Sequence, residues 1–166
     1  LGMETCLKHF ETILVSDAGG NLLGEEKVGS NWASQSYRVL NVIDNQVRSL
    51  RKRQLIASYA RYQGTCTDGG RRGAYWGIRT NISNFELDDA LDCPLEKTIK
   101  LAEIATRLKK MDLTTQHQLI NWGYAVCDAG IRKHVISDAA APAQFPYPDA
   151  GVGQIMPSLI PEVLNE

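Results

Sequence analysis

The sequence predicts an α/β fold, rich in helix, and three observations predict it. Ile13-Leu14-Val15 is a short β-forming run closed by Ser16-Asp17 and then Ala18-Gly19-Gly20, which reads as a buried strand with a turn behind it. Met3 to Phe10, just before it, has apolar residues at 3, 6, 7 and 10, a helical spacing. From Trp32 to Gln63 an apolar pattern with steps of three and four runs without Pro or Gly. Helix, strand and Gly-rich exit make half of a parallel crossover unit. In open α/β sheets chemistry gathers at the carboxyl ends of strands, so Asp17 is the first candidate residue.

The elements follow in order. Asn21 to Ser30 is a polar loop, and Ser30 or Asn31 can cap the long helix. Its stripe is Val39, Leu40, Ile43, Val47 and Leu50, with Leu55, Ile56 and Tyr59 beyond. The expectation is that Val47 and Leu50 turn to the core. Gly64 to Gly73 is a loop, and Ala74 to Thr80 reads as a second strand. Asn81 to Pro94 is acidic and irregular, and Leu95 to Leu108 holds one or two short helices. Asp112 or Thr114 caps a helix over 113–134 with a stripe at Leu119, Ile120, Trp122 or Gly123, Val126, Cys127 and Ile131. Arg132, Lys133 and His134 suit the negative end of its dipole. From Ser137 the chain turns Ala- and Pro-rich and loses periodicity, a surface-hugging extension or a disordered tail.

At 166 residues the chain fits one domain with a real core. Its net charge of −1 argues against nucleic acid as a partner. No apolar run reaches the ~18 residues of a membrane span. The chain opens on Leu1-Gly2 inside the first helix, without initiator Met or signal-peptide pattern, and reads as a piece of a longer protein. Cysteines at 6, 66, 93 and 127 form no C-x-x-C pair, which argues for buried thiols in a reducing compartment and against a zinc site.

Charge is unevenly spread. Nine basic residues and two acids lie between Arg38 and Arg79, and Arg48, Arg51, Lys52 and Arg53 fall together on the long helix. This cluster reads as a solvated face, as an anionic-surface site, or as internal pairing with the acidic stretch Glu86 to Glu96. Catalytic signatures are absent: no G-x-S-x-G, H-E-x-x-H, P-loop or Rossmann glycine set. Ser49-Leu50-Arg51-Lys52 matches S-x-x-K without its companion motifs, and His9, His117 and His134 lie far apart, the last two at opposite ends of one helix. Asp17-Ala18-Gly19 and Asp68-Gly69-Gly70 are the two places where glycine lets a carboxylate sit in a tight turn.

Several stretches resemble bacterial patatin-like phospholipases: Leu1-Gly2-Met3-Glu4, Thr12 to Gly20, Asp44 to Arg53, Gly73 to Ile78, and Asn121 to Asp128. The resemblance spans 1–136 and implies the carboxyl-terminal part of that catalytic domain, with 137–166 as a Pro/Ala-rich tail. It implies a three-layer α/β/α sandwich and acyl-ester hydrolysis by a Ser-Asp dyad, with no cofactor and no metal. By the family's register the dyad Asp falls shortly before Leu1 and the Ser further upstream. Asp17 then marks the end of the next strand, although it is the candidate acid the chain itself contains. Asp68-Gly69-Gly70 lacks the following Asn and helix and is read as a decoy. The implied partners are a lipid or acyl-ester substrate, the amino-terminal part of the same domain, and an anionic membrane surface at Arg48, Arg51, Lys52 and Arg53. The implied location is cytoplasmic or peripheral to a membrane. The alternatives are a non-catalytic module that binds a membrane surface or a partner, and a catalytically dead homologue.

Overall fold

Thr12–Asp17 (β1) and Arg72–Gly77 (β2) pair as parallel strands, with Ile13 opposite Gly73, Val15 opposite Tyr75 and Asp17 opposite Gly77. The computed structural model describes residues 2–19, 29, 31–105 and 110–153. Helices Met3–His9 (α1), Trp32–Ala60 (α2), Leu95–Ala102 (α3) and Leu113–His134 (α4) complete the α/β architecture among the described residues, with short 3-10 turns at Thr67–Gly69, Ile82–Phe85 and Pro148–Ala150. Gly29 apart, the expected loop from Asn21 to Ser30 lies outside the described residues, as do 106–109 and the chain beyond Gly153.

Local signals explain the element ends. Asn31 accepts the Ser34 N–H at 2.8 Å and caps α2. Asp112 accepts the Thr115 N–H at 2.8 Å and caps α4. That bond comes first among those holding the Asp112 carboxyl below its ordinary range.

The chain divides into two compact units: Leu1–Gly77 with Gly130–Ala139, and Ile78–Ala129 with Ala140–Glu166. In the first unit one face of the two-stranded sheet meets α2, and the other meets the last turn of α4. Alternation puts Ile13, Val15, Asp17, Gly73 and Tyr75 on the face that meets α2. There the Tyr59 hydroxyl donates to the Ile13 carbonyl at 2.7 Å. Ala74 and Trp76 point the other way, against Gly130 of α4, where an added Cβ would lie 3.1 Å from the Trp76 ring. On that face Arg72 also donates to the Val135 carbonyl. The core of this unit is Ile13, Leu55, Ala74 and Trp76. Gly73 lets the strands close up, because a Cβ there would stand 1.9 Å from the Ile13 carbonyl oxygen.

The second unit buries Ile82, Phe85, Cys93, Leu101, Trp122, Ala125, Val126 and Val152. Trp122 Nε1 donates to the Ile78 carbonyl at 3.1 Å. Asn121, fully buried, donates through Nδ2 to the carbonyls of Tyr147 and Gly151 at 2.8 and 2.7 Å. It also accepts the Tyr147 N–H at 3.0 Å. The Tyr147 ring stacks on His117 at 3.8 Å. This polar latch holds the part of the Pro-rich segment that is described.

Two expected stripes differ from those found. Along α2 the buried residues are Leu55 and Ser58, while Val39, Leu40, Ile43, Val47 and Leu50 are exposed. Val47 and Leu50 therefore do not turn to the core. The reason is the helix's rotation: Asp17 of β1 and Tyr75 of β2 engage Arg48 and Lys52 on its basic side, with Leu55 and Tyr59 against the strands, and the apolar side turns out. Along α4, Ile120 is exposed and the buried line runs through Asn121, Trp122, Ala125, Val126 and Ala129.

Candidate functional site

A hollow of the first unit opens at the carboxyl end of β1. It is a cleft of about 620 Å³ whose wall includes Val15, Ser16, Asp17, Arg48, Lys52 and Tyr75. That volume lies within the range of small-molecule sites. Beta-strand alternation aims Asp17 and Tyr75 at α2, and successive turns of α2 bring Arg48, Lys52 and Leu55 over them.

Asp17 is the best-connected side chain in the cleft. Its Oδ1 accepts the Gly19 N–H at 2.9 Å and an Arg48 guanidinium N–H at 3.0 Å. Its Oδ2 accepts the Tyr75 hydroxyl at 2.7 Å. Partial burial pushes the carboxyl up, but the Tyr75 hydroxyl, the Gly19 N–H and the Arg48 charge together outweigh it and hold it below the usual carboxylate range. Burial, followed by the bond to Asp17, pushes the Tyr75 hydroxyl well above its ordinary value. A Cβ on Gly19 would overlap the Arg48 guanidinium at 1.6 Å, so a side chain there would push that arginine off Asp17. Asp17 is thus an ionised acceptor with three donors already on it, suited to clamp a strand end and poorly suited to take a proton.

The other cations of the cluster also have neighbours in this unit. Arg51 donates to Glu4 Oε2 at 2.9 Å. The Glu4 carboxyl is held low by its bond to Lys8 and then by the charges of Lys8 and Arg51. Lys52 Nζ stands 4.4 Å from the centre of the Tyr75 ring. Arg53 is exposed. The structure therefore brings Asp17 together with Arg48, and through Tyr75 with Lys52. Asp68 lies elsewhere, exposed in the 3-10 turn Thr67–Gly69 with φ of 53°.

Tyr75 lines the cleft and bonds to Asp17, although in the sequence it reads only as a strand residue. Its signal was its place between Gly73 and Gly77 on one strand face, where the missing side chains leave a ring room to reach a neighbour. Among the described residues, no group of three or more His, Cys, Asp or Glu side chains is placed to hold a metal ion. No helix among them is long and apolar enough to cross a membrane. A second hollow, about 350 Å³, lies in the other unit along the acidic stretch from Ile82 to Pro94. Burial, then the Asp92 charge, pushes the Cys93 thiol beside it up to about 12, so that thiol is inert. Compared with protein-family models, with curated proteins and with solved structures, the chain matches none.

Proposed function

We propose that this chain is the carboxyl-terminal part of a patatin-like serine lipid acyl hydrolase. The observation that carries the reading is a parallel strand–helix–strand unit with a cleft at the carboxyl end of β1, beside Asp17-Ala18-Gly19. With α2 on one face of the strand pair and the last turn of α4 on the other, the arrangement is compatible with a three-layer α/β/α sandwich that further strands would complete. On this reading the Ser nucleophile, the oxyanion donors and the dyad Asp come from residues upstream of Leu1. There the Ser attacks an ester carbonyl, the Asp acts as base, and backbone N–H groups hold the oxyanion, each worth about 3–4 kcal/mol. This segment supplies a wall of the acyl pocket, with Val15, Val47 and Leu55 as apolar lining. Asp17 belongs to its framework: an acid that already accepts three hydrogen bonds is a weak general base.

The substrate is an acyl ester, and the protein works at the periphery of a lipid surface or in the cytoplasm. The anionic-surface reading of Arg48, Arg51, Lys52 and Arg53 draws less support, because the first three face Asp17, Glu4 and Tyr75. The test compares p-nitrophenyl ester turnover by residues 1–166 alone with turnover by the longer protein that carries them. The longer protein should be active and the segment inert. Serine-dependent turnover by the segment alone, or none by the longer protein, overturns the proposal.

A further inference from the structure

Among the described residues, the basic side of α2 meets the strands and α1, and its apolar side is exposed. Ala33, Ser36, Leu40, Ile43, Val47, Leu50, Gln54 and Ala57 are spaced alternately by three and four, the a/d spacing of about three and a half heptads. All eight are exposed. The four large ones expose 64, 52, 49 and 57% of their surface in chain order. At ~100° per residue this seam lies roughly a third of a turn round α2 from Arg48, Lys52, Leu55 and Tyr59, which meet the strands. Monomeric proteins rarely leave so long an apolar strip uncovered.

The seam reads alike in both directions. Counted outward from Asn45, Ile43 mirrors Val47, Leu40 mirrors Leu50, Ser36 mirrors Gln54 and Ala33 mirrors Ala57. We propose that α2 is a self-association surface, and that its occupant is α2 of a second copy of this chain, packed antiparallel about a two-fold axis at Asn45. In that arrangement β-branched residues meet, Leu meets Leu, the two polar positions meet, and small residues close both ends. Each a position faces a d position of the partner. The interface is isologous, as a two-fold dimer requires.

Charge selects the antiparallel sense. A parallel pair would set Arg48, Arg51, Lys52 and Arg53 of the two copies side by side. The antiparallel pair sets that segment against residues 37–42 of the partner, which hold one cation, Arg38. Among the described residues the seam side chains hold none of the hydrogen bonds or ion pairs that tie α2 to the strands, although Val47 also borders the β1 cleft.

The test is sedimentation equilibrium of the 166-residue chain across micromolar concentrations. The chain should show a reversible monomer–dimer equilibrium. Ile43→Glu with Val47→Glu should weaken it at least about tenfold and leave the far-ultraviolet circular dichroism unchanged, since both sites are exposed. Oxidation of a Leu40→Cys, Leu50→Cys double variant should join residue 40 of one copy to residue 50 of the other, as read by peptide mass spectrometry. A strictly monomeric wild-type chain overturns the proposal. So does a dimer that the charged variant leaves intact, or a Leu40→Cys variant that cross-links to itself, the mark of parallel packing. A monomer that co-sediments with neutral phosphatidylcholine vesicles also overturns it and assigns the seam to lipid.

Discussion

The Tyr75 hydroxyl donates to Asp17 Oδ2 at 2.7 Å, across the pair of parallel strands that carry the two residues. Register sets this up. Asp17 pairs with Gly77, so Tyr75 stands two residues back on the same face, and its ring spans the gap. With the Arg48 guanidinium and the Gly19 N–H on Oδ1, the carboxylate ties the end of β1 to β2, to α2 and to its own exit turn.

Asp17→Asn should therefore affect stability more than chemistry. On the proposed hydrolase reading, the acylation rate of the longer protein should stay within about tenfold of wild type, a barrier change of roughly 1.4 kcal/mol. Single-turnover kinetics with a chromogenic ester checks this. A loss of several orders of magnitude with the fold retained would make Asp17 the dyad acid.

The same substitution has a pH signature. The folded-state pKa of Asp17 is lowered, so its contribution is complete above the ordinary carboxylate value of about 4 and fades as pH falls through the lower folded value. The stability gap between wild type and Asp17→Asn should be widest near neutrality and shrink in acid. Urea unfolding at a series of pH values measures it. A gap that grows in acid would contradict the assignment.

Gly73→Ala should destabilise the chain by about 2–3 kcal/mol, because the new methyl meets a backbone oxygen that cannot swing away. Denaturant unfolding reads the cost. A neutral outcome would mean that the strands can part at Ile13.

Asn121→Ala should cost about 2–4 kcal/mol, since it leaves two carbonyls and one N–H of the 147–151 segment without their buried partner. Asn121→Asp should be worse than Ala, because it removes both donors and sets a charge against two carbonyl oxygens. Thermal melting ranks the variants, and amide exchange at Tyr147 reports the latch directly.

Glu4→Gln should be silent in thermal melting, and equally so at low and high salt. The Glu4–Arg51 pair is solvent-exposed, and such pairs contribute little. A clear drop in melting temperature would mark the pair as more than a surface contact.

Local chemistry made most elements legible. The strand signal at Ile13 to Val15 extends to Asp17, the Asn31 cap starts α2, and the expected bounds of α4 are the observed ones. Such features depend on residues within one or two turns of each other. The rotation of α2 depends on partners far off in sequence. Glu4 is 47 residues from Arg51, and Asp17 is 31 from Arg48. Apolar periodicity shows that a helix has two faces but not which one a neighbour takes. Here ion pairs and an aromatic ring took the polar face, which no stripe count foretells. Asn121 was hidden for a similar reason: its partners are backbone groups 26 and 30 residues later, and backbone groups carry no sequence signature.

α2 is one helix by geometry and two by stability. Its first turn is held by bonds between near neighbours, Asn31 to Ser34 and Gln35 to Gly29, whereas Arg48 and Tyr59 tie its second half to the strands. Amide protons from Gln35 to Asp44 can exchange by fraying, without the sheet letting go, while those around Leu55 and Ser58 wait for the core to open. Protection should climb along the helix in a single chain. In a paired one it should level out, and dilution should bring the slope back.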